Sequence, residues 1–149
     1  MEDLILVPIT ADDIWLLDKT EYSALTQEER RGLVEDSQSG LCRGEFFRFY
    51  IVRCQGIAVG VINMFGHGNK VVSVAPEIFW EHRGKGLATK SLLLSYEIAK
   101  GEGFAEVNAG IRAENVASQN LHVKLGFKYI EDQVSRHGNL LKIYSRSIN

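Results

Sequence analysis

The pattern of apolar and polar residues predicts seven strands along this chain. They are expected at residues 4–7, 46–53, 58–65, 71–79, 105–111, 127–134 and 140–146. The run 105–111 alternates strictly between the two residue classes, which is typical of a strand with one buried face. Glycine-containing turns at 54–56 and 137–139 are expected to close two hairpins.

Helical spacing and capping signals predict four helices between these strands. They are expected at about residues 10–17, 26–36, 87–100 and 117–125. Thr26 followed by Glu29 has the spacing of a capping box. The third helix has an apolar face of Leu87, Leu94 and Ile98, widened by Ala88, Leu92 and Ala99, and this face is expected to pack on a sheet.

The resulting order is β-α-α-β-β-β-α-β-α-β-β. It predicts an α/β fold of the α+β type, in which a central mixed β-sheet is flanked by helices. The strand–helix–strand unit from residue 71 to 111 implies one right-handed parallel crossover. A chain of 149 residues with 45% hydrophobic and 24% charged residues has the composition of one ordinary globular domain.

Composition argues against several classes of protein. A net charge of −2 does not favour nucleic-acid binding or an anionic membrane surface. No apolar run approaches the length of a bilayer span, and the acidic residues 1–3 are unlike a signal peptide. Cys42 and Cys54 do not make a disulfide framework or a zinc site. We therefore expect a cytoplasmic protein with reduced thiols and with neither a nucleic-acid nor a membrane partner.

Residues 82–89, His-Arg-Gly-Lys-Gly-Leu-Ala-Thr, lie between a predicted strand and a predicted helix. A glycine-rich turn in that position directs backbone N–H groups and the positive end of the helix dipole at one point. Gly84 and Gly86 permit φ > 0, while Arg83 and Lys85 add positive charge. The P-loop and dinucleotide fingerprints are both absent. The turn is a candidate cradle for a phosphate or pyrophosphate, and the alternative is an ordinary basic helix N-terminus.

A second motif, residues 115–127, follows one strand later and reads Asn-Val-Ala-Ser-Gln-Asn-Leu-His-Val-Lys-Leu-Gly-Phe. Alone, it is explained as a short capped helix that ends at Gly126. Together with the cradle, this Asn…Leu-Gly-Phe helix resembles the GCN5-related N-acetyltransferase (GNAT) superfamily, especially its branch acting on protein N-termini and small amines. The resemblance implies a GNAT-like acyl-CoA N-acyltransferase fold, with residues 1–149 as a single N-acetyltransferase domain.

The resemblance also implies the reaction. A protein of this kind is an N-acetyltransferase that moves an acetyl group directly from acetyl-CoA to a primary amine, without a metal, and releases coenzyme A. The amine-bearing acceptor is a protein N-terminus, a lysine or a small molecule, and residues 15–47 are expected to form the acceptor side. A homodimer is a candidate assembly. The competing hypothesis is a catalytically silent acyl-CoA-binding or regulatory module.

Twelve positions receive a cofactor-binding role from the resemblance. They are Ile78, Phe79, Arg83, Gly84, Lys85, Gly86, Leu87, Ala88, Thr89, Asn115, Asn120 and Lys124. Residues 83–89 would bind the pyrophosphate, mainly through backbone N–H groups. Asn115 matches an asparagine that contacts the pantetheine arm in relatives. Ile78 and Phe79 would end the strand at 71–79, where relatives splay two strands and pair one with the pantetheine amides.

Acetyl transfer needs a neutral amine, whereas a lysine-like amine with a pKa of about 10.4 is mostly protonated at pH 7. Glu77 is the candidate base because it lies near the end of the strand at 71–79, and the alternative is an exposed strand end without a role. Glu81 and His82 are weaker candidates. His122 stands where many relatives place a tyrosine that protonates the departing thiolate, so it is the candidate acid. The alternative is a surface histidine.

Overall fold

The structure is a computed structural model that describes residues 3–148. Its strands are β1 Leu4–Pro8, β2 Leu41–Cys42, β3 Glu45–Cys54, β4 Ile57–Gly66, β5 Val71–Ile78, β6 Glu106–Arg112, β7 Lys128–Val134 and β8 Leu140–Ser147. They form a sheet in the order β1-β3-β4-β5-β6-β8-β7, and β2 pairs with β3 outside this path. Among the described strands, β5 and β6 are the one parallel pair. The predicted mixed sheet is confirmed.

Helical segments connect the strands. The α-helices are α1 Gln27–Ser39, α2 Leu87–Gly101 and α3 Val116–Lys124, and the 3₁₀ segments are Ala11–Lys19, Glu21–Ala24 and Trp80–His82. The helix expected at residues 10–17 is therefore a 3₁₀ segment, because its ends are closed by hydrogen bonds between residues three apart. The second and third 3₁₀ segments and β2 were not predicted. No helix within residues 3–148 has the length and apolar character needed to cross a membrane.

The capping box predicted at Thr26 is confirmed. The Thr26 hydroxyl accepts a hydrogen bond of 3.1 Å from the Glu29 N–H, and the Glu29 carboxylate accepts one of 2.9 Å from the Thr26 N–H. The helix ends at Gly40, whose φ of +84° is a left-handed conformation that glycine adopts without strain. Capping thus fixes both ends of α1, and its Val34 packs in the same apolar cluster as Leu17 of the first 3₁₀ segment.

Both faces of the central strands are buried, and alternation along these strands explains how. Phe49 and Ile51 of β3 pack under the first 3₁₀ segment and α1, whereas Tyr50 and Val52 belong to the cluster under α2. Phe79, directly after β5, completes the α1 side and is fully buried. Each face therefore has its own apolar core, and the site lies where the two cores end.

The buried face of α2 agrees with the predicted one at Leu87, Leu92 and Ala99 and differs from it at one leucine and two serines. Leu94 was assigned to the packing face but is 37% exposed, whereas Ser91 and Ser95 are buried. Burial of these serines is tolerated because each hydroxyl donates to the carbonyl three residues earlier, at 2.9 and 2.6 Å respectively. Hydropathy alone does not reveal that these two serines are buried.

A buried arginine fixes the irregular segment between β1 and α1. Arg30 is 5% exposed, and its guanidinium lies 2.7 Å from the Asp18 carboxylate. It also donates to three backbone carbonyls, those of Leu25 at 3.2 Å, Ser23 at 2.9 Å and Ile14 at 3.4 Å. One side chain of α1 thus satisfies carbonyls from both 3₁₀ segments and the turn that follows them.

Replacing Arg30 by methionine should lower the free energy of unfolding by about 3–4 kcal/mol, because it leaves several buried carbonyls without donors. Chemical denaturation measures the change. Arg31→Met, at an exposed position on the same helix, is the control and should change stability by about 0.5 kcal/mol or less. Equal effects of the two substitutions would contradict the anchoring role of Arg30.

Candidate active site

The site begins where β5 and β6 separate. Their parallel ladder comprises three residue pairs, Val71–Ser73 with Glu106–Asn108. Beyond Ser73 and Asn108 the strands diverge and enclose a cleft of about 500 Å³, which we call the strand cleft. The Oδ1 atom of Asn108 is buried there and has no hydrogen-bond partner within residues 3–148. The cleft therefore offers an unused buried acceptor.

The divergence leaves one edge of β5 open. The Phe79 N–H donates to the Val59 carbonyl of β4 at 2.8 Å, and by the alternation of an antiparallel ladder Glu77 also bonds toward β4. Pro76 and Ile78 then direct their backbone groups to the opposite side, into the cleft. Pro76 has no N–H to offer to β6, which fits its position on an unpaired edge. The Ile78 carbonyl accepts a hydrogen bond of 2.9 Å from Arg83 Nε.

The glycine-rich turn forms the predicted cradle at the start of α2. Gly84 and Gly86 have φ values of +82° and +75°, and a Cβ at either position would meet no atom within 4 Å. Open space therefore lies above the turn, and the first N–H groups of α2 have no intrahelical partners. The Arg83 guanidinium lies 5.3 Å from the centre of the Trp80 ring. Its charge is therefore held beside the turn.

The cavity above this turn, the cradle cavity, has a volume of about 370 Å³. It is lined by Pro76, Glu77, Ile78, His82, Arg83, Gly84, Gly86, Leu87, Ala88 and Asn115. Asn115 also lines the strand cleft, so its side chain stands where the two cavities meet. Its Oδ1 accepts a hydrogen bond of 3.1 Å from the Ser118 N–H and caps α3. The Nδ2 group is then the part of Asn115 that remains to contact a ligand.

Glu77 lies in a third, smaller cavity of about 210 Å³, which we call the Tyr22 pocket. Its lining residues are Glu21, Tyr22, Val61, Asn63, Ala75, Pro76, Glu77 and Arg83. The Glu77 carboxylate accepts a hydrogen bond of 3.1 Å from the Glu21 N–H. Burial raises the pKa of Glu77, although that hydrogen bond acts in the opposite direction. A carboxylate with a raised pKa is a stronger proton acceptor than an ordinary glutamate.

His122 is 5% exposed and lines the strand cleft. Its Nδ1 lies 2.8 Å from the Ser118 carbonyl, which only accepts, so Nδ1 carries the proton. The ring contacts Phe127 edge-on, with centroids 4.9 Å apart. Burial lowers the pKa of His122, so the neutral ring, with a lone pair on Nε2, is favoured. As an acid, His122 must first gain a proton at Nε2.

The sequence decides the family to which this site belongs. Residues 3–128 match the model of the acetyltransferase (GNAT) domain. The chain belongs to the GNAT acetyltransferase family. The matched region runs from β1 through the cradle and α3, and so contains both motifs that carried the resemblance. The resemblance to GNAT enzymes is confirmed, and with it the assignment as an N-acetyltransferase.

Solved structures share the fold of this GNAT domain. An acetyltransferase from Salmonella typhimurium that modifies the N-terminal serine of 50S ribosomal subunit protein L7/L12 is 18% identical, with a TM-score of 0.81 over 98% of this chain and 95% of that chain. RimL, a ribosomal L7/L12 alpha-N-protein acetyltransferase solved in complex with coenzyme A, is 18% identical, with a TM-score of 0.77 over 97% and 93%. A spermidine N-acetyltransferase SpeG chimera from Vibrio cholerae and hSSAT is 16% identical, with a TM-score of 0.84 over 97% and 95%. At these identities the likeness shows the fold. No curated protein matches the chain in sequence.

Most of the predicted site residues come together in the GNAT domain. Glu77, Ile78, Arg83, Gly84, Gly86, Leu87, Ala88 and Asn115 surround the cradle cavity, and His122 faces the adjoining cleft. Phe79 has its side chain in the core and its N–H bonded to β4, so neither group points to the cleft. Lys85, Asn120 and Lys124 are exposed and Thr89 is half-buried, and none of these four lines the cradle cavity or the strand cleft. Their contact with a cofactor stays a prediction.

Sequence reasoning missed several residues of the site. Tyr22, Asn63 and Asn108 carry no motif. Tyr22 and Asn63 line the Tyr22 pocket and Asn108 lines the strand cleft, and these positions depend on contacts between elements distant in sequence. Pro76 gave a readable signal, because a proline inside a strand predicts an edge without a partner. Among the described residues, no group of three or more His, Cys, Asp or Glu is arranged to bind a metal ion.

The lowered pKa of His122 predicts a pH-dependent stability. Below the pKa of an unfolded histidine, about 6.5, the unfolded chain binds a proton that the folded chain rejects, so stability falls as the pH drops. His122→Gln should therefore lose less stability than the parent between pH 7 and pH 5. Thermal unfolding across this range measures the two slopes, and His137→Gln, at an exposed position, is the control. Parallel slopes for parent and His122→Gln would contradict the buried neutral histidine.

Proposed function

We propose that this GNAT domain transfers an acetyl group directly from acetyl-CoA to a primary amine. The observation that carries the proposal is the meeting of three cavities at one residue. Pro76 lines the cradle cavity, the strand cleft and the Tyr22 pocket. A donor that enters over the cradle and along the cleft would therefore bring its thioester beside the pocket that holds Glu77. Such continuity supports a direct transfer without an enzyme-bound acetyl group.

The chemistry of the cradle and cleft fits coenzyme A. A pyrophosphate suits the left-handed glycines and the free N–H groups at the start of α2. A pantetheine arm carries amide N–H and C=O groups, which suit the open edge of β5 and the unpartnered Asn108 Oδ1. When bound, acetyl-CoA supplies the activated acetyl group. The chain's own groups hold and orient it.

Glu77 is the proposed base for the acceptor. At pH 7 an amine of pKa about 10.4 costs about 4–5 kcal/mol to deprotonate, and Glu77 can take that proton within the Tyr22 pocket. The neutral nitrogen then attacks the thioester carbonyl carbon, the C–S bond breaks, and the nitrogen's surplus proton leaves with the sulfur or to solvent. His122, when protonated at Nε2, would be the donor to that sulfur. A thiolate with a pKa of about 8.5 is also a fair leaving group unaided.

The acceptor amine belongs to a protein N-terminus, a lysine or a small molecule. We further propose that residues 1–149 act as one N-acetyltransferase domain in the cytoplasm, where the free thiols of Cys42 and Cys54 stay reduced. A specific observation favours the second candidate, a catalytically silent acyl-CoA-binding module: the buried, neutral form of His122 is a poor proton donor. Turnover measurements distinguish the active acetyltransferase from the silent acyl-CoA-binding module.

Acetyl-CoA should stabilise the fold, and Gly86→Val should abolish this effect. At 100 times its Kd the ligand adds about 2.7 kcal/mol, a rise in melting temperature of about 5–10 °C. Valine resists the left-handed φ of +75° and fills the space above the turn. Gly138→Val is the matched control, because Gly138 has a φ of +83° and equally open surroundings in the β7–β8 turn. A full thermal shift in Gly86→Val would place the cofactor elsewhere.

Glu77→Gln should lower turnover by about 10²- to 10⁴-fold with little change in acetyl-CoA affinity. The loss should shrink at high pH, where the amine is deprotonated by solvent, and the pH–rate profile measures this. His122→Phe should lower turnover less. Glu35→Gln, an exposed glutamate on α1, is the charge-matched control. Full activity of Glu77→Gln at every pH would remove it from the mechanism, and an absence of turnover in the parent with every amine would favour the silent module.

A further inference from the structure

The charged side chains of the Tyr22 pocket have no ion-pair partners. Glu21, Glu77 and Arg83 line this pocket, and none of the three forms an ion pair within residues 3–148. The two uncharged polar side chains of the pocket are already bonded to each other, since Asn63 Nδ2 donates to the Tyr22 hydroxyl at 2.5 Å. The groups that remain to bind an acceptor are therefore two carboxylates and one guanidinium.

The guanidinium of Arg83 is held in place at this pocket. Its Nε donates to the carbonyl of Ile78, the residue after Glu77, at 2.9 Å, and its Cζ lies 5.3 Å from the centre of the Trp80 ring. These contacts bring the side chain back to the end of β5. The two Nη groups carry the other N–H donors, for which the described part of the chain provides no acceptor. They can bind a carboxylate through two parallel hydrogen bonds.

The two carboxylates have different surroundings. Glu77 is half-buried and accepts the Glu21 N–H at 3.1 Å, whereas Glu21 is exposed and also lines the strand cleft. Burial is the main influence on the pKa of Glu77 and raises it, while the positive charge of Arg83 acts to lower it. Arg83 is therefore near Glu77 without being bonded to it. One small ligand with charges of both signs can contact both groups.

We infer that the Tyr22 pocket binds a small amino acid as the acceptor, with its ammonium group at Glu77 and its carboxylate at the Arg83 guanidinium. The inference rests on the proposed function and narrows the acceptor to a small molecule. The pocket volume of about 210 Å³ is the space of about seven water molecules in the liquid. The pyrophosphate of the donor is expected to use mainly the backbone N–H groups of residues 83–89, so the side chain of Arg83 remains for the carboxylate.

The two charged groups of such an acceptor have separate roles in the reaction. Glu77 takes one proton from the ammonium group, the nitrogen bonds to the acetyl carbon as the C–S bond breaks, and the second proton leaves with the sulfur or to solvent. The products are an N-acetyl amino acid and coenzyme A. The carboxylate stays at Arg83 and orients the amine. Glu21 repels a carboxylate at the mouth of the pocket and so disfavours the reversed orientation.

Three matched acceptors test this preference. L-2-aminobutanoate, its carboxamide and propylamine share the amine and its carbon chain, and they differ at the carboxylate. Because their amine pKa values also differ, the acid-to-amide ratio of kcat/KM is compared between each variant and the parent. Arg83→Gln should lower this ratio about tenfold, because it removes a charged, two-point contact. Glu21→Gln should raise it about two- to threefold, because a repulsion is lost. An unchanged ratio in Arg83→Gln would overturn the inference.

Two further variants separate carboxylate binding from other roles of Arg83. Arg83→Lys keeps the charge but loses the planar fork, so its ratio should lie between those of the parent and Arg83→Gln. Arg136→Gln removes an exposed arginine in the β7–β8 turn and should leave the ratio at the parent value. Equal losses with all three acceptors in Arg83→Gln, or a higher acetyl-CoA KM with an unchanged ratio, would assign Arg83 to the fold or to the cofactor and overturn the inference.

Calorimetric titration separates this inference from the proposed function. The three acceptors are titrated into the protein with and without saturating coenzyme A, which binds without reacting. Tighter binding of L-2-aminobutanoate than of the other two, lost in Arg83→Gln, supports the inference even if no acetylated product forms. Acetylation of propylamine without tighter binding of the amino acid contradicts the inference and leaves the proposed function intact. Failure of the amino acid to bind at millimolar concentration also contradicts the inference.

Discussion

The site depends on where the hydrogen bonding between β5 and β6 stops. Three residue pairs join the strands, enough to fix their direction and spacing, and beyond Ser73 and Asn108 no ladder holds them together. Further along, a regular parallel ladder would require an N–H toward β6 at position 76, and proline has none. Pro76 thus prevents the pairing from resuming beyond the point where it stops. The cleft is the space that a longer ladder would have closed.

The two sides of the site are built by different means. The cradle side uses regular structure: a strand end, two left-handed glycines and the start of a helix of 15 residues. The side that carries Glu21 and Tyr22 has two 3₁₀ segments, which are held by side chains such as Arg30 and Asp13. Connecting segments of this kind vary more in sequence and conformation than the strands and helices they join. An acetyl donor that stays the same suits the regular cradle side, and an acceptor amine that varies suits the side built from 3₁₀ segments.

The elements of the fold follow closely from the sequence, since apolar alternation and caps are local signals. The strand at 71–79 and the helix at 87–100 appear as Val71–Ile78 and Leu87–Gly101. The cradle was readable for the same reason, because its glycines and its helix start are adjacent in the chain. Glu21, Asn63 and Glu77 come from three separate elements. The register of β4 and β5 brings Asn63 and Glu77 to one pocket, and the hydrogen bond from the Glu21 N–H to Glu77 brings the 3₁₀ segment to it. Ser91 and Ser95 show a second limit of prediction from sequence. Their burial depends on hydrogen bonds from their hydroxyls, which hydropathy does not reveal.

Burial shifts the pKa values of the two candidate proton-transfer groups, Glu77 and His122, in opposite directions. Burial raises the pKa of Glu77 and lowers that of His122, so both are moved toward their neutral forms. The raised pKa gives Glu77 a higher proton affinity, as a base requires. The lowered pKa leaves His122 without the second ring proton that an acid would donate. The Ser118 carbonyl adds a geometric constraint, since it holds the one proton of the neutral ring on Nδ1. A tyrosine at the same position would donate without first being charged. The difference matters little if the leaving thiolate needs no acid, whereas the acceptor ammonium always needs a base. The proposed mechanism therefore depends more on Glu77 than on His122.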